Sequence, residues 1–226
     1  MGDSRNMKKI LNEHSRLIVL LFDGLGLDYY FSGALPYLNS LGGKGLFRRV
    51  SGVFPSVTNV NNVSVCCGKW PDEHGITANS YYDRLNDCVE YMNSFALIKA
   101  PTLFQKAASC GFGGSTALFT CKRKTLELFS QDAAMAVVAE DVSPEMEKRY
   151  GSPGSIYSAG INHWLLRAAA DALRKQENIR VMYVHITDYP MHRWAPDEPE
   201  SLAHLQGLDA AMEEVAAAAG RRRNLS

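Results

Sequence analysis

The chain carries near its beginning the run Leu17-Ile18-Val19-Leu20-Leu21-Phe22, followed at once by Asp23-Gly24. An unbroken apolar run that stops at an acid and a glycine is typical of a parallel strand buried on both faces of a sheet. The run Ile179–Ile186 has the same character and ends two residues before Asp188. We therefore predict a parallel sheet in which Asp23 and Asp188 follow the carboxyl ends of two strands.

Segments with helical periodicity alternate with the predicted strands. Helices are predicted over Pro36–Leu41, Thr58–Cys67, Thr102–Ser109, Ala159–Lys175 and Ser201–Ala219. Further strands are predicted over Gly45–Val53, Ser115–Phe119 and Ala133–Ala139, with a hairpin or loop at Tyr81–Tyr91 and a surface connection at Ser143–Ser155. This alternation indicates an α/β fold over residues 1–226, a mostly parallel sheet with helices on both faces, and a small cap-like segment around residues 120–160. In such sheets, ligands bind beyond the carboxyl ends of the strands.

The composition is that of a globular protein without a basic surface for nucleic acid. The 226 residues include 24 basic and 24 acidic side chains, so the formal net charge is zero. Binding to nucleic acid or to an anionic membrane is therefore not predicted, and no apolar segment approaches the ~20 residues that cross a bilayer. The five cysteines include no Cys-x-x-Cys pair, which favours a reduced, cytoplasmic protein.

The segment Pro55-Ser56-Val57-Thr58-Asn59 places a hydroxyl residue in a turn before a predicted helix. Unpaired backbone N–H groups at a helix N-terminus favour an anion, so a threonine here is a candidate nucleophile for attack on phosphorus. The local sequence alone favours a simpler interpretation, in which Thr58 is the N-cap of the helix. The choice depends on the residues found elsewhere in the chain.

The segment Asp188-Tyr189-Pro190-Met191-His192 follows the second apolar strand. A carboxylate and an imidazole at this spacing can bind one cation, and oxygen and nitrogen ligands suit zinc, with iron and manganese as alternatives. Taken alone, a solvated aspartate beside a surface histidine is the simpler interpretation. Asp23 alone is equally ambiguous, since an acid at a strand end often caps the following helix.

Together, these residues fit a hydrolase that uses two metal ions. We predict that Asp23 and Thr58 bind one ion, which activates the hydroxyl, and that Asp188 and His192 bind a second ion, which polarises an oxygen of the substrate. Two metal ions placed in this way serve in-line displacement at phosphorus.

The order of the motifs resembles the alkaline phosphatase superfamily. The shared pattern is a strand that ends at Asp23-Gly24, then Pro55–Asn59, then Pro71-x-x-His74-Gly75-Ile76, then Asp188-x-x-x-His192. Within the superfamily, the chain resembles the nucleotide pyrophosphatase/phosphodiesterase branch, and in that branch the phosphonoacetate hydrolases. Their turn after the nucleophile is similar to Thr58-Asn59-x-Asn61-Asn62-x-Ser64.

The resemblance implies roles for individual residues. Thr58 is the expected nucleophile, Asn79 the residue that stabilises the developing oxyanion, and Lys122 and Lys124 the pair that binds the substrate carboxylate. Without the other motifs, Lys122–Lys124 is interpreted as a solvated basic turn. The implied activity is metal-dependent hydrolysis of the C–P bond of phosphonoacetate to acetate and phosphate. Two zinc ions are the implied cofactors, and a small phosphonate, rather than nucleic acid or a membrane, is the implied partner.

The chain departs from the family pattern after His192. Family members carry a later Asp-His pair and a distal histidine that complete the two metal sites. This sequence contains no Asp-His dipeptide, and beyond His192 its only histidine is His204, within an alanine-rich helix pattern. We therefore expect a truncated core with two ligands for each metal ion, an exposed strand edge, marginal stability and association with another chain, such as a homo-oligomer.

Two other functions stay open at the level of the sequence. A phosphodiesterase or nucleotide pyrophosphatase needs an aromatic slot for a base, which Tyr81 and Tyr82 can supply. A non-catalytic protein that binds a phosphonate or a partner chain is favoured by the missing metal ligands. The paired lysines favour a small substrate with a second anionic group.

Overall fold

The computed structural model describes residues 15–220. Its strands are β1 (Leu17–Leu21), β2 (Ser80–Asp83), β3 (Cys88–Tyr91), β4 (Thr116–Thr120), β5 (Met135–Val138) and β6 (Val181–His185). The main sheet is parallel and has the order β1-β6-β4-β5, whereas β2 and β3 form a separate antiparallel hairpin. The structure therefore confirms the predicted parallel sheet and assigns the segment Tyr81–Tyr91 to a hairpin.

Helices connect and cover the strands. Their bounds are α1 (Leu27–Tyr30), α2 (Pro36–Lys44), α3 (Thr58–Cys67), α4 (Pro71–His74), α5 (Leu103–Ser109), α6 (Arg123–Phe129), α7 (Pro144–Tyr150), α8 (Gly160–Lys175), α9 (Tyr189–Arg193) and α10 (Pro199–Gly220). Every helix predicted from the sequence is present, and its ends lie within a few residues of the predicted ones.

Alternate residues of β6 enter the cores on opposite faces of the sheet. Met182 and Val184 belong to the core that α8 and α10 cover, and Tyr183 belongs to the core formed with α3, α5 and α6. Because β6 is buried on both faces, its sequence is apolar almost throughout. The exception is His185, which is fully buried at the end of the strand.

The register of three strands brings their carboxyl ends together. Leu21 of β1 and Thr120 of β4 both lie opposite His185 of β6. The residues that follow these strand ends at one edge of the sheet include Asp23, Lys122 and Asp188. This edge is where an α/β sheet is expected to bind its ligand.

Two segments differ from the sequence prediction. Gly45–Val53, predicted as a strand, has no regular secondary structure, and Leu46 and Val50 are 79% and 86% exposed because no neighbouring element covers them. Ser143–Ser155, predicted as a surface connection, is mostly exposed but also contains a helix that was not predicted, α7, whose first turn is capped by the Ser143 hydroxyl. Residues 120–160, where we expected a cap-like segment, contribute β5 to the main sheet.

Strand β1 lies at the edge of the main sheet, and in the described part of the chain it pairs only with β6. All of its residues are half-buried, although all are apolar. This agrees with the expected exposed strand edge, and association with another chain stays a prediction. Within residues 15–220, no helix has the length and apolar character needed to span a bilayer.

A pair of histidines joins α8 to α10. The rings of His163 and His204 stack with their centroids 5.0 Å apart, and His163 Nε2 donates to the His204 carbonyl oxygen at 3.0 Å. Burial lowers the pKa of His204 to about 3, and the neighbouring His163 acts in the same direction. His204 therefore belongs to a helix interface.

We expect His204 to make the protein less stable as the pH falls. A histidine with a folded pKa of about 3 and an unfolded value near 6.5 stabilises the folded state fully above pH 6.5, and this contribution is lost progressively towards the folded pKa. The loss is at most ~1.4 kcal/mol per pH unit. Urea unfolding of the wild type and of His204→Leu, from neutral pH down to about pH 5, measures this loss of stability. The same pH dependence in both proteins would contradict this account.

Candidate active site

A cavity of about 680 Å³ opens at the carboxyl edge of the main sheet. Its walls come from the start of α3, the end of the hairpin, the β4–α6 turn and the segment after β6. Among the residues that line it are Thr58, Asn79, Tyr91, Lys122, Lys124, Tyr157, Asp188, Tyr189 and His192. The candidate catalytic, lysine and metal-binding residues predicted from the sequence therefore lie at this cavity, except Asp23, which contacts residues that do.

Thr58 is the first residue of α3, and Val57 is the N-cap. No side chain caps this helix, so the simpler interpretation of Thr58 as the N-cap is wrong. Its hydroxyl donates instead to Asp23 Oδ2 at 3.3 Å. A hydroxyl that lies at a helix N-terminus and contacts a carboxylate is well placed to attack an anionic substrate.

Asn79 is held at the same helix N-terminus. Its Oδ1 accepts a hydrogen bond from the Asn59 backbone N–H at 3.0 Å, and the Asn59 amide donates to the Met92 carbonyl at 2.8 Å. Since Oδ1 of Asn79 is used as an acceptor, its amide nitrogen is the group that can donate to a ligand.

The turn that contains His74 ties α3 to the segment that leads to Asn79. His74 Nδ1 accepts from the Ile76 N–H at 3.1 Å. Nε2 therefore carries the proton and donates to Ser64 Oγ of α3 at 2.9 Å. Burial lowers the pKa of His74, in agreement with a neutral ring. The His-Gly-Ile turn thus sets the position of the candidate oxyanion residue.

Two carboxylates of the site share one ammonium group. Lys122 Nζ lies 2.6 Å from Asp188 Oδ1 and 3.4 Å from Asp23 Oδ2. Gly24 permits the two acids to approach each other, because it has φ 78° and a Cβ there would lie 3.2 Å from the Cβ atoms of Asp188 and Met191. The acid pair, defined as Asp23 and Asp188, therefore already accommodates a cation.

Both members of the acid pair are ionised at neutral pH. Burial on its own raises the pKa of Asp23, but the contact with His185 and the nearby charge of Lys122 outweigh it and hold the pKa below its usual value. Burial also opposes the ionisation of Asp188, and the hydrogen bond and charge of Lys122 again lower the pKa. One ammonium does not neutralise two carboxylates, so the site retains negative charge that attracts a further cation.

His192 approaches Asp188 from the solvent side. Its Nε2 lies 3.0 Å from Asp188 Oδ2, whereas Lys122 contacts the other carboxylate oxygen, Oδ1. The His192 side chain is 75% exposed, whereas that of Asp188 is 19% exposed. The pair therefore does not consist of two solvated surface groups, because the acid is held in the sheet edge.

Lys124 lies at the same cavity with a different partner. Its Nζ is 3.5 Å from the centroid of the Tyr91 ring, a cation–π contact. Arg123, between the two lysines, forms an ion pair with Asp141. Lys122 thus contacts the acid pair and Lys124 the aromatic side of the cavity. The expectation that both bind the substrate stays a prediction.

The donors at the cavity suit a divalent metal ion. Asp23, Thr58, Asp188 and His192 supply oxygen and nitrogen atoms, which zinc prefers. The acid pair holds an ammonium at present, which shows that a cation fits between its oxygens. Within the part of the chain that the structure describes, no group of three or more His, Cys, Asp and Glu side chains is arranged to hold one ion. Each ion would therefore receive two donors from residues 15–220.

The aromatic wall of the cavity is not the one expected from the sequence. Tyr81 and Tyr82 lie on the exposed β2 strand and do not line the cavity, so their assignment to a base slot is wrong. Tyr157 and Tyr189 line it instead, with their rings edge to face and 5.6 Å between centroids. They come from separate segments, and no local pattern could have brought them together.

His185 is a further residue that the sequence analysis did not single out. Its Nε2 lies 3.5 Å from Asp23 Oδ2, beneath the acid pair. A signal was present, because a histidine within an otherwise apolar, fully buried strand must have polar partners.

We expect Lys122→Met to destabilise the metal-free protein more than Lys124→Met. Loss of Lys122 leaves two mostly buried carboxylates without their cation, at a cost of about 1–3 kcal/mol, whereas the cation–π contact of Lys124 contributes about 0.5–1 kcal/mol. Urea unfolding of both variants in the presence of a chelator measures the difference. Equal destabilisation would contradict the pairing of Lys122 with the acid pair.

Comparison with known proteins shows the family to which the chain belongs. Residues 17–226 match the family model described as type I phosphodiesterase / nucleotide pyrophosphatase. An uncharacterised pyrophosphatase/phosphodiesterase of Schizosaccharomyces pombe is 26% identical over 214 residues, which make up 89% of this chain and 40% of that protein. The bis(5'-adenosyl)-triphosphatase enpp4 of Mus musculus is 41% identical over 69 residues, or 30% of this chain and 15% of that protein.

Solved structures share the fold. The phosphonoacetate hydrolase of Sinorhizobium meliloti, in complex with phosphonoacetate or phosphonoformate, has a TM-score of 0.80 at 26% identity, over 91% of this chain and 54% of that chain. The murine ectonucleotide pyrophosphatase/phosphodiesterase 5 in complex with AMP has a TM-score of 0.66 at 15% identity over the same shares, a likeness of fold alone. This chain thus spans about half the length of these solved proteins. The motifs, the parallel sheet and the family match agree, and the chain belongs to the type I phosphodiesterase / nucleotide pyrophosphatase family of hydrolases, in the alkaline phosphatase superfamily.

Proposed function

We propose that this chain carries the nucleophile and the substrate-binding wall of a phosphonoacetate hydrolase, which converts phosphonoacetate to acetate and phosphate. The observation that carries the proposal is the contact of the Thr58 hydroxyl with Asp23 at a cavity that Lys122 and Lys124 also line. A small substrate with a phosphonate and a carboxylate needs both features. The likeness to a solved hydrolase in complex with phosphonoacetate supports the same substrate class.

Thr58 supplies the attacking oxygen. The backbone N–H groups at the start of α3 favour the phosphonate anion, and Asp23 Oδ2 accepts the hydrogen bond of the hydroxyl. As the bond from Thr58 Oγ1 to phosphorus forms, the hydroxyl proton passes to Asp23 Oδ2, and the C–P bond breaks with its electron pair staying on carbon. The adjacent carboxylate delocalises that charge, and a proton from water completes acetate.

Asn79 and the lysines stabilise the charges that the reaction creates. The amide nitrogen of Asn79 donates to the phosphoryl oxygen that gains charge, since Oδ1 is held by Asn59. Lys122 and Lys124, as point charges with adaptable reach, bind the carboxylate of the substrate. Water then hydrolyses the phosphothreonine, releases phosphate and restores the hydroxyl.

We propose zinc as the metal, held by Asp23 and Thr58 in one position and by Asp188 and His192 in the other. When bound, such ions stabilise charge on the attacking and the phosphoryl oxygens. The same proposal includes a cytoplasmic protein that acts on a small molecule, with no nucleic-acid or membrane partner, and that forms a homo-oligomer.

A comparison of two substrates tests the proposed function. In excess zinc, we expect phosphate release from phosphonoacetate and little hydrolysis of bis(p-nitrophenyl) phosphate. Lys124→Met should raise KM for phosphonoacetate about tenfold, because one carboxylate contact is lost (about 1.4 kcal/mol), without effect on the diester. Preference for the diester would contradict the proposal. Tight phosphonoacetate binding without phosphate release would instead indicate a non-catalytic binding protein.

A phosphodiesterase is the second candidate function. The edge-to-face pair of Tyr157 and Tyr189 at the cavity favours it, because a flat base or aryl leaving group packs well on such rings. Replacement of Tyr157 by Ala separates the two candidates. It should impair hydrolysis of an aryl diester if this second function is correct, and leave phosphonoacetate hydrolysis unchanged if the first one is.

A further inference from the structure

We propose that His185 is a positioning residue, which sets the places of Thr58, Asp23 and Lys122 relative to one another. This inference rests on the proposed function and adds to it a residue that does not touch the substrate. His185 ends the central strand β6, and its side chain has no exposed surface. Its positioning role follows from the helices to which its ring is hydrogen-bonded.

Both ring nitrogens of His185 have partners from other parts of the chain. Nδ1 lies 3.0 Å from Thr125 Oγ1 of α6, and Nε2 lies 3.1 Å from Asn62 Nδ2 of α3. Asp23 Oδ2, which follows β1, lies 3.5 Å from the same Nε2. Thr120 Oγ1 of β4 lies 3.4 Å from Nδ1. One buried ring thus contacts four elements that carry or precede site residues, in addition to its own strand.

The proton of the ring is assigned by a chain of buried hydrogen bonds. The Tyr183 hydroxyl is fully buried, and burial raises its pKa well above the usual value, so the hydroxyl keeps its proton and donates to Asn62 Oδ1 at 2.8 Å. The Asn62 amide nitrogen therefore points to His185 and donates to Nε2. Nε2 is then an acceptor, and Nδ1 carries the proton and donates to Thr125 Oγ1.

The neutral ring is consistent with its surroundings. Burial lowers the pKa of His185. The nearby Asp23 raises it, but by less, so the pKa stays below its usual value. A neutral ring with its proton on Nδ1 directs the Nε2 lone pair to the side where Asn62 and Asp23 lie. His185 therefore does not donate to Asp23 at neutral pH, and it acts on the site through the elements that it joins.

These links connect the parts of the site that must keep a fixed geometry. Asn62 lies one helical turn after Thr58 in α3, and Thr125 lies in α6 immediately after Lys122 and Lys124. The two contacts of the ring bridge 123 and 60 residues of sequence, so no local interaction can replace them. A displacement of about 1 Å between nucleophile and substrate can cost about a hundredfold in rate.

A packing role alone does not explain a histidine at this position. The remainder of β6 is apolar, and a leucine would fill the space without any need for buried polar partners. Asn62, Thr125 and Tyr183 are all at least nine-tenths buried. If the ring were removed, Asn62 and Thr125 would each lose a hydrogen-bond partner, and Tyr183 would be affected through its hydrogen bond to Asn62. The network is therefore a specific connection between elements.

The first test is spectroscopic and does not depend on activity. In protein with ¹⁵N-labelled histidine, the His185 ring should show the tautomer with its proton on Nδ1 and with Nε2 unprotonated at neutral pH. His185→Gln identifies its signals. A ring protonated on Nε2 would overturn the proposal.

The second test separates positioning from folding. The amide of His185→Gln reaches the position of Nε2 and can keep the bond from Asn62, whereas that of His185→Asn stays near Nδ1 and loses it. We expect kcat for phosphonoacetate to fall about a hundredfold in His185→Asn and His185→Leu, with KM little changed, and to be largely restored in His185→Gln. His204→Leu, which removes another buried histidine far from the cavity, should leave kcat unchanged.

Zinc affinity provides a readout that needs no turnover. Displacement of Thr58 relative to Asp23 should weaken zinc binding in calorimetric titrations of His185→Leu at least tenfold, with recovery in His185→Gln and no change in His204→Leu. Equal zinc affinity in all four proteins would overturn the proposal. If the wild type binds zinc and responds in this way but releases no phosphate, the proposed function fails and the role of His185 stands.

Discussion

Thr58→Ala is expected to lower kcat/KM for phosphonoacetate about a thousandfold or more, since the substitution removes the attacking oxygen. The fold should not change, because Val57 is the N-cap of α3 and no side chain caps that helix. The lost hydrogen bond to Asp23 is partly exposed to solvent and contributes about 1 kcal/mol to stability. Phosphate release under single-turnover and steady-state conditions measures the effect.

The matched variant is Thr58→Ser, which keeps a hydroxyl at the same helix position. It should retain activity within about tenfold of the wild type, since only a methyl group that orients the hydroxyl is lost. Unchanged phosphate release in Thr58→Ala, at equal folded fraction, would exclude Thr58 as the nucleophile and leave water as the attacking group.

Asp188→Asn is expected to weaken binding of one zinc ion about a hundredfold or more. The carboxylate contacts both Lys122 and His192, and a neutral amide supplies one weaker donor in its place. Activity should fall in parallel at limiting zinc and recover only in part at saturating zinc. Calorimetric titration with zinc in the wild type and in the variant gives the ratio of affinities.

Asp141→Asn is the control for the loss of a negative charge at this end of the sheet. Asp141 is exposed, pairs with Arg123 and does not line the cavity. Its removal should change zinc affinity less than twofold, because exposed charges outside the site are screened. A loss of affinity as large as that of Asp188→Asn would show that zinc responds to general charge and not to the acid pair.

Much of the sheet was predictable because burial on both faces leaves a strong pattern. Leu17–Phe22 and Ile179–Ile186 are unbroken apolar runs, and both contain strands of the main sheet. The prediction of a strand at Gly45–Val53 was wrong because a segment of mixed apolar and polar residues makes a strand only where a neighbouring strand pairs with it, and none does here. Helix α7 was missed because Pro, Gly and charged residues around it obscure a short helix whose start is set by the Ser143 cap.

The acid pair was predictable because residues that follow the carboxyl ends of parallel strands meet at one edge of the sheet. Asp23 and Asp188 follow neighbouring parallel strands, and the structure brings them to one ammonium group. The partner of Lys122 was not predictable, because its contact with the acids bridges 99 and 66 residues of sequence. The same is true of the aromatic wall and of the His185 network, whose members are brought together only by the fold.

The central claim is that Thr58 attacks phosphorus and carries the phosphoryl group for part of the cycle. Rapid acid quench of the zinc-loaded protein with phosphonoacetate, followed by mass spectrometry of its peptides, tests this most directly. We expect one added phosphoryl group on the peptide that contains Thr58, present in the wild type and absent in Thr58→Ala. Phosphate release at an undiminished rate with no phosphorylated peptide at any quench time would contradict it.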